Sequence, residues 1–208
     1  MTAIAFFDIA RRDKHAAIVS NAAASALGRM ILRLGQAYHM PIIHIVRRQE
    51  QVELLRSLGG EHVLNSRDPD FLDRLRTLSR QLKATLILDP VAGEQTQQLL
   101  EAAPKGSNAL VYGSLSGSKI EIPPRGSSTD DKRVAGFYLP DWIAKKNVLQ
   151  VLMDMRRVQH LATHELQTTI HKRFPLSAVR AAIDLYQTHP TAGKVLLVAD
   201  PGKIHLDG

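Results

Sequence analysis

Residues Val19–Met30 read VSNAAASALGRM: the end of a short apolar run, a string of small residues, then one glycine. Two readings are open. The stretch is a phosphate-binding turn in which most glycines have been replaced, or a helix that simply begins with small residues. The flanks matter. His15–Ser20 (HAAIVS) is a short apolar strand, and residues 24–40 carry Leu27, Met30, Ile31 and Leu34 at helical spacing. In a βαβ unit that binds a dinucleotide, the turn after the first strand seats the pyrophosphate on the N-terminus of the next helix, where N–H groups and the helix dipole stabilise an anion. The usual pattern is G-x-G-x-x-G. Counted back from Gly28, this chain offers Ala23, Ala24, Ser25, Ala26, Leu27 and Gly28, so only the third glycine, which lets helix and strand approach closely, is kept. Ala23 and Ser25 are small enough for a close approach but tolerate positive φ less well than glycine. The Ser25 hydroxyl is a further candidate donor to a phosphate oxygen.

The rest of the chain repeats the same alternation. Residues 2–12 read as a helix carrying Ile4, Phe7 and Ile9, and residues 41–46 as a second buried strand. A helix over 50–60 ends at Gly59-Gly60, and HVLN (62–65) is a third strand. Asp68, just before Pro69, is a candidate N-cap for a helix over 69–82. A fourth strand (84–89), a helix (94–103) and a fifth strand (108–114) follow. Strand and helix alternate in pieces of about 20–25 residues, which implies right-handed βαβ units around a parallel sheet. The expected class is α/β, a doubly wound parallel sheet in a three-layer α/β/α arrangement. Residues 116–133, rich in Gly, Ser, Pro and charge, read as a mobile surface loop. Beyond it come a strand-like VAGFYL (134–139), a long helix near 141–164, a possible strand at 165–170, a helix after Pro175 and a closing strand, GKVLLV (193–198). No linker separates these parts, so residues 1–208 are expected to form one domain.

Composition narrows the function. With 208 residues and 44% hydrophobic content the chain can bury a sizeable core. It has no cysteine, which removes disulfides, thiolate zinc ligands and a cysteine nucleophile from consideration and fits a cytoplasmic location. No apolar run approaches the roughly 20 residues of a membrane span, and the first residues, with Asp8 and no leading basic region, make a poor signal peptide. A net charge of +7 points to an anionic partner. Nucleic acid is disfavoured, because the basic residues are dispersed and aromatics are only 5% of the chain. A small anionic ligand fits better.

The end of the second strand is the more informative place. Enzymes that use NAD commonly carry Asp or Glu there, on the ribose 2′-hydroxyl. Here the strand runs into Arg47 and Arg48. A carboxylate would repel a 2′-phosphate, whereas guanidinium groups bind it by charge-assisted hydrogen bonds of roughly 1.5–3 kcal/mol each. One or two such bonds give about ten- to several-hundred-fold preference for NADPH. Paired arginines at a strand end are also common as solvated surface residues; the turn upstream tips the balance towards NADPH. Other constellations are weaker. His160, His164 and His171 would share a face only on one continuous helix, and a break is expected before His171. The Asp8/Asp13 pair and Asp130-Asp131 read as exposed charge, and Trp142 as a core residue.

AAASALGRM, HIVRRQEQVELLRSLGGEHVLNS, ILDPVAGEQT, LVYGSLSG and the terminal GKVLLV, in this order and spacing, resemble the coenzyme-binding domain of medium-chain dehydrogenases/reductases, and within them the zinc-free quinone oxidoreductase and enoyl reductase branch. The resemblance implies a Rossmann fold with strand order 3-2-1-4-5-6, NADPH phosphates on residues 22–28 and the 2′-phosphate near Arg47 and Arg48. It places Val91-Ala92-Gly93 and Gly113-Ser114-Leu115 beside the ribose and nicotinamide. It also implies homodimers formed by edge pairing, with RVAGFYL (133–139) as the candidate edge, and a small-molecule acceptor such as a quinone, enone or enoyl thioester. The family carries an N-terminal GroES-like catalytic domain that these residues do not include, and TAIAFFDIARR resembles the helix that follows it. Turnover is therefore not expected of these residues alone, and a non-catalytic NADPH-binding or sensor module stays open as the alternative.

Overall fold

The computed structural model describes residues 1–121, 130–189 and 191–199. They divide into two compact units, residues 1–166 and 167–208. The first unit runs α1 (Thr2–Arg12), β1 (Ala17–Ser20), α2 (Ala26–Ala37), β2 (Ile42–Val46), α3 (Gln49–Ser57), β3 (His62–Asn65), α4 (Phe71–Leu82), β4 (Ala84–Asp89), α5 (Glu94–Ala102), β5 (Asn108–Val111), β6 (Arg133–Gly136), α6 (Leu139–Ala144) and α7 (Val148–Ala162). The six strands form one parallel sheet in the order β3-β2-β1-β4-β5-β6, the Rossmann order the motifs imply.

Short apolar runs make these strands because both faces of the sheet are covered. On one side Ile18, Ile42, Leu86 and Leu88 pack with Ile4, Phe6 and Phe7 of α1 and Ile31 and Leu34 of α2. On the other, Val19, Ile43, Ile45 and Ile87 pack with Phe71 and Leu75 of α4 and Leu99 and Leu100 of α5. Each large apolar side chain buried in this way contributes about 1.5–3 kcal/mol, so the alternation of strand and amphipathic helix is what closes the core. At the rim, β6 pairs among the described residues only with β5 and is largely exposed. Among the described residues no helix is long and apolar enough to cross a membrane.

Several sequence expectations need correction. The N-cap of α4 is Asp70, not Asp68. Residues 68–70 form a turn in which the Asp68 carbonyl accepts from Phe71 N–H at 3.1 Å and its carboxylate lies 3.5 Å from Arg74, so the helix starts later. The long helix near 141–164 is two helices. Asn147 accepts from Gln150 N–H at 2.9 Å and donates its own N–H to Gln150 Oε1 at 3.0 Å, a reciprocal cap that starts α7 afresh. The fifth strand stops at Val111 rather than running to residue 114.

Asp8 is not exposed charge. It accepts from Arg157 at 2.8 Å and lies 3.6 Å from Lys146, while Arg157 also donates to the Tyr38 hydroxyl and Lys146 pairs with Asp154. Asp13 and Asp131 do sit in local surface pairs with Arg12 and Arg133, and Asp130 pairs with Lys132, whose side chain is buried. Trp142 is half-buried against the α1 side of the core. Of the surface loop expected over 116–133, residues 122–129 lie outside the described residues.

The second unit contains β7 (Ile170–Pro175), a single 3-10 turn (Leu176–Ala178), α8 (Val179–Thr188) and β8 (Lys194–Val198), with β7 and β8 parallel. The strand expected at 165–170 is displaced. It begins at Ile170 and ends at Pro175, where the missing N–H closes the ladder.

One buried polar side chain makes the fold pH-sensitive. His44 is 3% exposed in the middle of β2, its Nδ1 has no partner among the described residues, and burial, with nearby His62 adding to it, lowers its pKa from 6.5 to about 4. The folded state therefore binds fewer protons than the unfolded chain between those values, and stability falls as pH drops through that window. Chemical denaturation should show a loss of about 3 kcal/mol between pH 7 and pH 4 from this group, and His44→Asn should flatten that part of the profile.

Candidate nucleotide-binding site at the strand ends

The order of the strands reverses between β1 and β4, and in open α/β sheets such a switch opens a crevice at the carboxyl ends of the strands. The first wall is the small-residue turn. Asn21 N–H donates to Leu88 O at 2.9 Å and Ala23 N–H to Ile45 O at 3.0 Å, so the turn is pinned to the strands on both sides of β1. Ala22 takes the left-handed conformation, φ 48°, with its N–H donated to Asn21 Oδ1 at 2.8 Å. Neither Ala23 nor Ser25 adopts positive φ. The strain expected at the replaced glycines therefore falls on a different residue.

Ser25 caps α2: its Oγ accepts from Gly28 N–H at 3.1 Å. As an acceptor it keeps its own O–H proton for donation to a ligand. Among the described residues the N–H groups of Ala26 and Leu27 meet no acceptor, and they stand at the positive end of a 12-residue helix. These donors and this dipole fit a phosphate group. Gly28 is required by packing. A Cβ there would lie 2.6 Å from the Ala23 Cα and carbonyl carbon, and closer still to the carbonyl oxygen. Ala23 and Ala24 are themselves buried against Leu32 and Val46.

Past the end of β2 both arginines are exposed, but they are not equivalent. Arg48 Nε is 3.1 Å from Glu50 Oε1. Arg47 is held by its backbone, N–H to Gln51 Oε1 at 3.1 Å, and its guanidinium has no ion-pair partner among the described residues. Ser66 N–H donates to Val46 O at 2.7 Å, which sets the end of β3, and with it exposed Arg67, beside the end of β2. Arg67 is a basic residue the sequence reading passed over; its signal was its place just after the third strand.

The other wall joins two loops. Leu115 N–H donates to Pro90 O at 3.0 Å and Ser116 N–H to Val91 O at 2.9 Å. Gly113 permits that approach, since a Cβ would come within 2.8 Å of Pro90 O. Val91 and Gly113 therefore sit together, and Leu115, 73% exposed, belongs with them rather than with the β1 turn. Between the walls lies a polar cluster that the sequence reading quoted without giving it a role. Asp89, fully buried, accepts from Asn21 Nδ2 and Val91 N–H, both at 2.8 Å, and from Ala92 N–H and Thr96 Oγ1 at 3.3 and 2.5 Å. The available signal was an acidic residue closing an apolar strand. Next to it, burial and the Asp89 charge hold the Tyr112 phenol protonated well above the usual tyrosine range.

The histidines do not gather. His160 and His164 have ring centroids 6.0 Å apart, and His171 lies on β7 in the second unit. Among the described residues no group of three or more His, Cys, Asp or Glu is placed to hold a metal.

Comparison with known proteins agrees with this geometry. The model of a family described as zinc-binding dehydrogenase matches residues 26–155. The chain is 25% identical over 132 residues to the mitochondrial enoyl-[acyl-carrier-protein] reductase of Xenopus tropicalis, covering 60% of this chain and 37% of that protein. A solved structure from Mesorhizobium loti, assigned as an NADPH:quinone reductase, superposes with a TM-score of 0.86 at 30% identity, covering 94% of this chain and 57% of that one. A second, from Bacillus thuringiensis and assigned likewise, gives 0.82 at 20% identity over 96% of this chain and 62% of that one, a likeness of fold alone. The chain thus spans little more than a third of the curated relative and just over half of the first solved one.

Because the Ala23 backbone cannot move without breaking its bond to Ile45, Gly28→Ala should lower unfolding free energy by roughly 1–3 kcal/mol. Urea denaturation of the two proteins checks this, with Gly106→Ala, a glycine with open space around it, as the comparison for a positive-φ surface site.

Proposed function

This chain belongs to the zinc-binding dehydrogenase family, within the medium-chain dehydrogenase/reductase superfamily, and from that membership we propose that residues 1–208 serve as the NADP-binding domain of a reductase. The cofactor is NADPH. One juxtaposition supports the reading above others: unpaired amides and a serine cap open α2 at the switch point, while a guanidinium with no ion-pair partner among the described residues stands after the next strand. Ala23, Ala24, Ser25, Ala26, Leu27 and Gly28 would hold the pyrophosphate, and Arg47, with Arg48 and Arg67 nearby, the 2′-phosphate. Val91, Gly113 and Leu115 would border the ribose and nicotinamide.

NADPH supplies a hydride when bound; the protein's part is to bind and orient it and to exclude water. The acceptor class is a quinone, enone or enoyl thioester, reduced without zinc, and the domain works in the cytoplasm as a homodimer paired along β6. Arg47 carries the cofactor preference, because Arg48 is already engaged by Glu50.

Fluorescence titration tests this. The wild type should bind NADPH about tenfold or more tightly than NADH. Arg47→Ala should remove most of that preference and Arg48→Ala much less. Equal affinity for the two cofactors would overturn the role of Arg47, and no binding of either would overturn the reading as a whole. Tight NADPH binding with no reduction of quinones or enoyl thioesters, even with a complementary catalytic half supplied, would favour a non-catalytic module.

A further inference from the structure

We propose that Asp89 is a positioning residue that fixes the spacing of the two walls of this crevice, acting with Asn21 and Thr96. The proposal rests on the NADPH reading above. A fully buried carboxylate is tolerated only when its oxygens are well supplied with donors. Here the donors come from three elements: Asn21 from the β1 turn, Val91 and Ala92 from the β4 loop, and Thr96 from α5. Asn21 extends the link. Its Nδ2 also donates to Gln95 Oε1 at 3.2 Å, and its Oδ1 accepts from Ala22 N–H.

Two alanines sit in the left-handed conformation, Ala22 at φ 48° and Ala92 at φ 65°. Alanine resists that conformation. Each is held there by an N–H bond to one member of the cluster, Ala22 to Asn21 and Ala92 to Asp89. The same two side chains therefore fix the shape of both walls and the distance between them. The two carboxylate oxygens serve all four groups at once. An amide at position 89 would turn an N–H₂ towards groups that are themselves donors. None of these polar atoms needs to touch the ligand; the effect passes through the backbone of residues 22–25 and 91–93.

The test separates positioning from folding and from the cofactor reading itself. Asn21→Ala cuts the bridge between the walls but leaves Asp89 its other three donors, from Val91, Ala92 and Thr96, so the protein should keep an unfolding midpoint close to wild type. Its Kd for NADPH should rise about tenfold or more, and its Kd for NADH by the same factor, because the pyrophosphate is common to both. The NADPH/NADH ratio should stay at the wild-type value, unlike the ratio in Arg47→Ala. Thr96→Val should weaken both cofactors likewise, and Thr96→Ser, which keeps the hydroxyl, should restore them. Asn21→Ala with wild-type affinity, or with an affinity loss that only tracks the unfolded fraction, overturns the proposal. If the wild type binds neither cofactor, the functional reading fails first and this proposal with it.

Discussion

Burial of the central strands on both faces is the constraint from which the rest follows. Every residue of β1 and of β2 is buried, so side chains along those strands are committed to packing. The polar residues caught there, Ser20 and His44, each keep a side-chain atom with no partner among the described residues. Chemistry has to sit where the strands end. The sheet order then selects which ends matter, since β1 and β4 are neighbours whose chains leave in opposite directions around the sheet. The turn at Asn21 and the loop at Asp89 face one another for that reason.

The turn itself shows how a glycine-poor sequence can occupy a place usually given to glycine. Two demands are usually met by the same residue type, positive φ and close approach. Here they are divided. Ala22 adopts the left-handed backbone, held by the side chain before it, and Gly28 gives the close approach. Ser25, at the place of a missing glycine, takes ordinary extended φ/ψ and caps the helix instead.

Most of the architecture was legible in the residues because it rests on local patterns. The apolar runs at 42–46, 62–65 and 84–89 are strands with nearly the boundaries their composition suggests, and α1 and α2 follow their periodicity. The place of Arg47 and Arg48 was legible because it depends only on a strand end. What stayed hidden needed partners far away in sequence. Asp8 reads as surface charge until Arg157 and Lys146 are brought to it, and Asp89 reads only as the last residue of a strand until Asn21 reaches it. The break before α7 was local and still missed, because an Asn-x-x-Gln cap inside a run of good helix formers is a weak signal beside the apolar periodicity around it. The cap of α4 was misplaced for a related reason: two aspartates flank Pro69, and the backbone bonds from Phe71 to Asp68 and from Arg74 to Asp70 tell which begins the helix.

The bond between Asn21 and Asp89 has a meaning for time as well as for shape. Its two residues are 68 apart in sequence. The helices and the local β–α pairings can form from near neighbours, but this contact waits until β4 has docked beside β1 and the entropy of closing that long loop has been overcome. A chain that has built only its first three strands holds the turn after β1 without its anchor. The crevice between the two walls is thus completed late on the folding path, when both halves of the sheet have met.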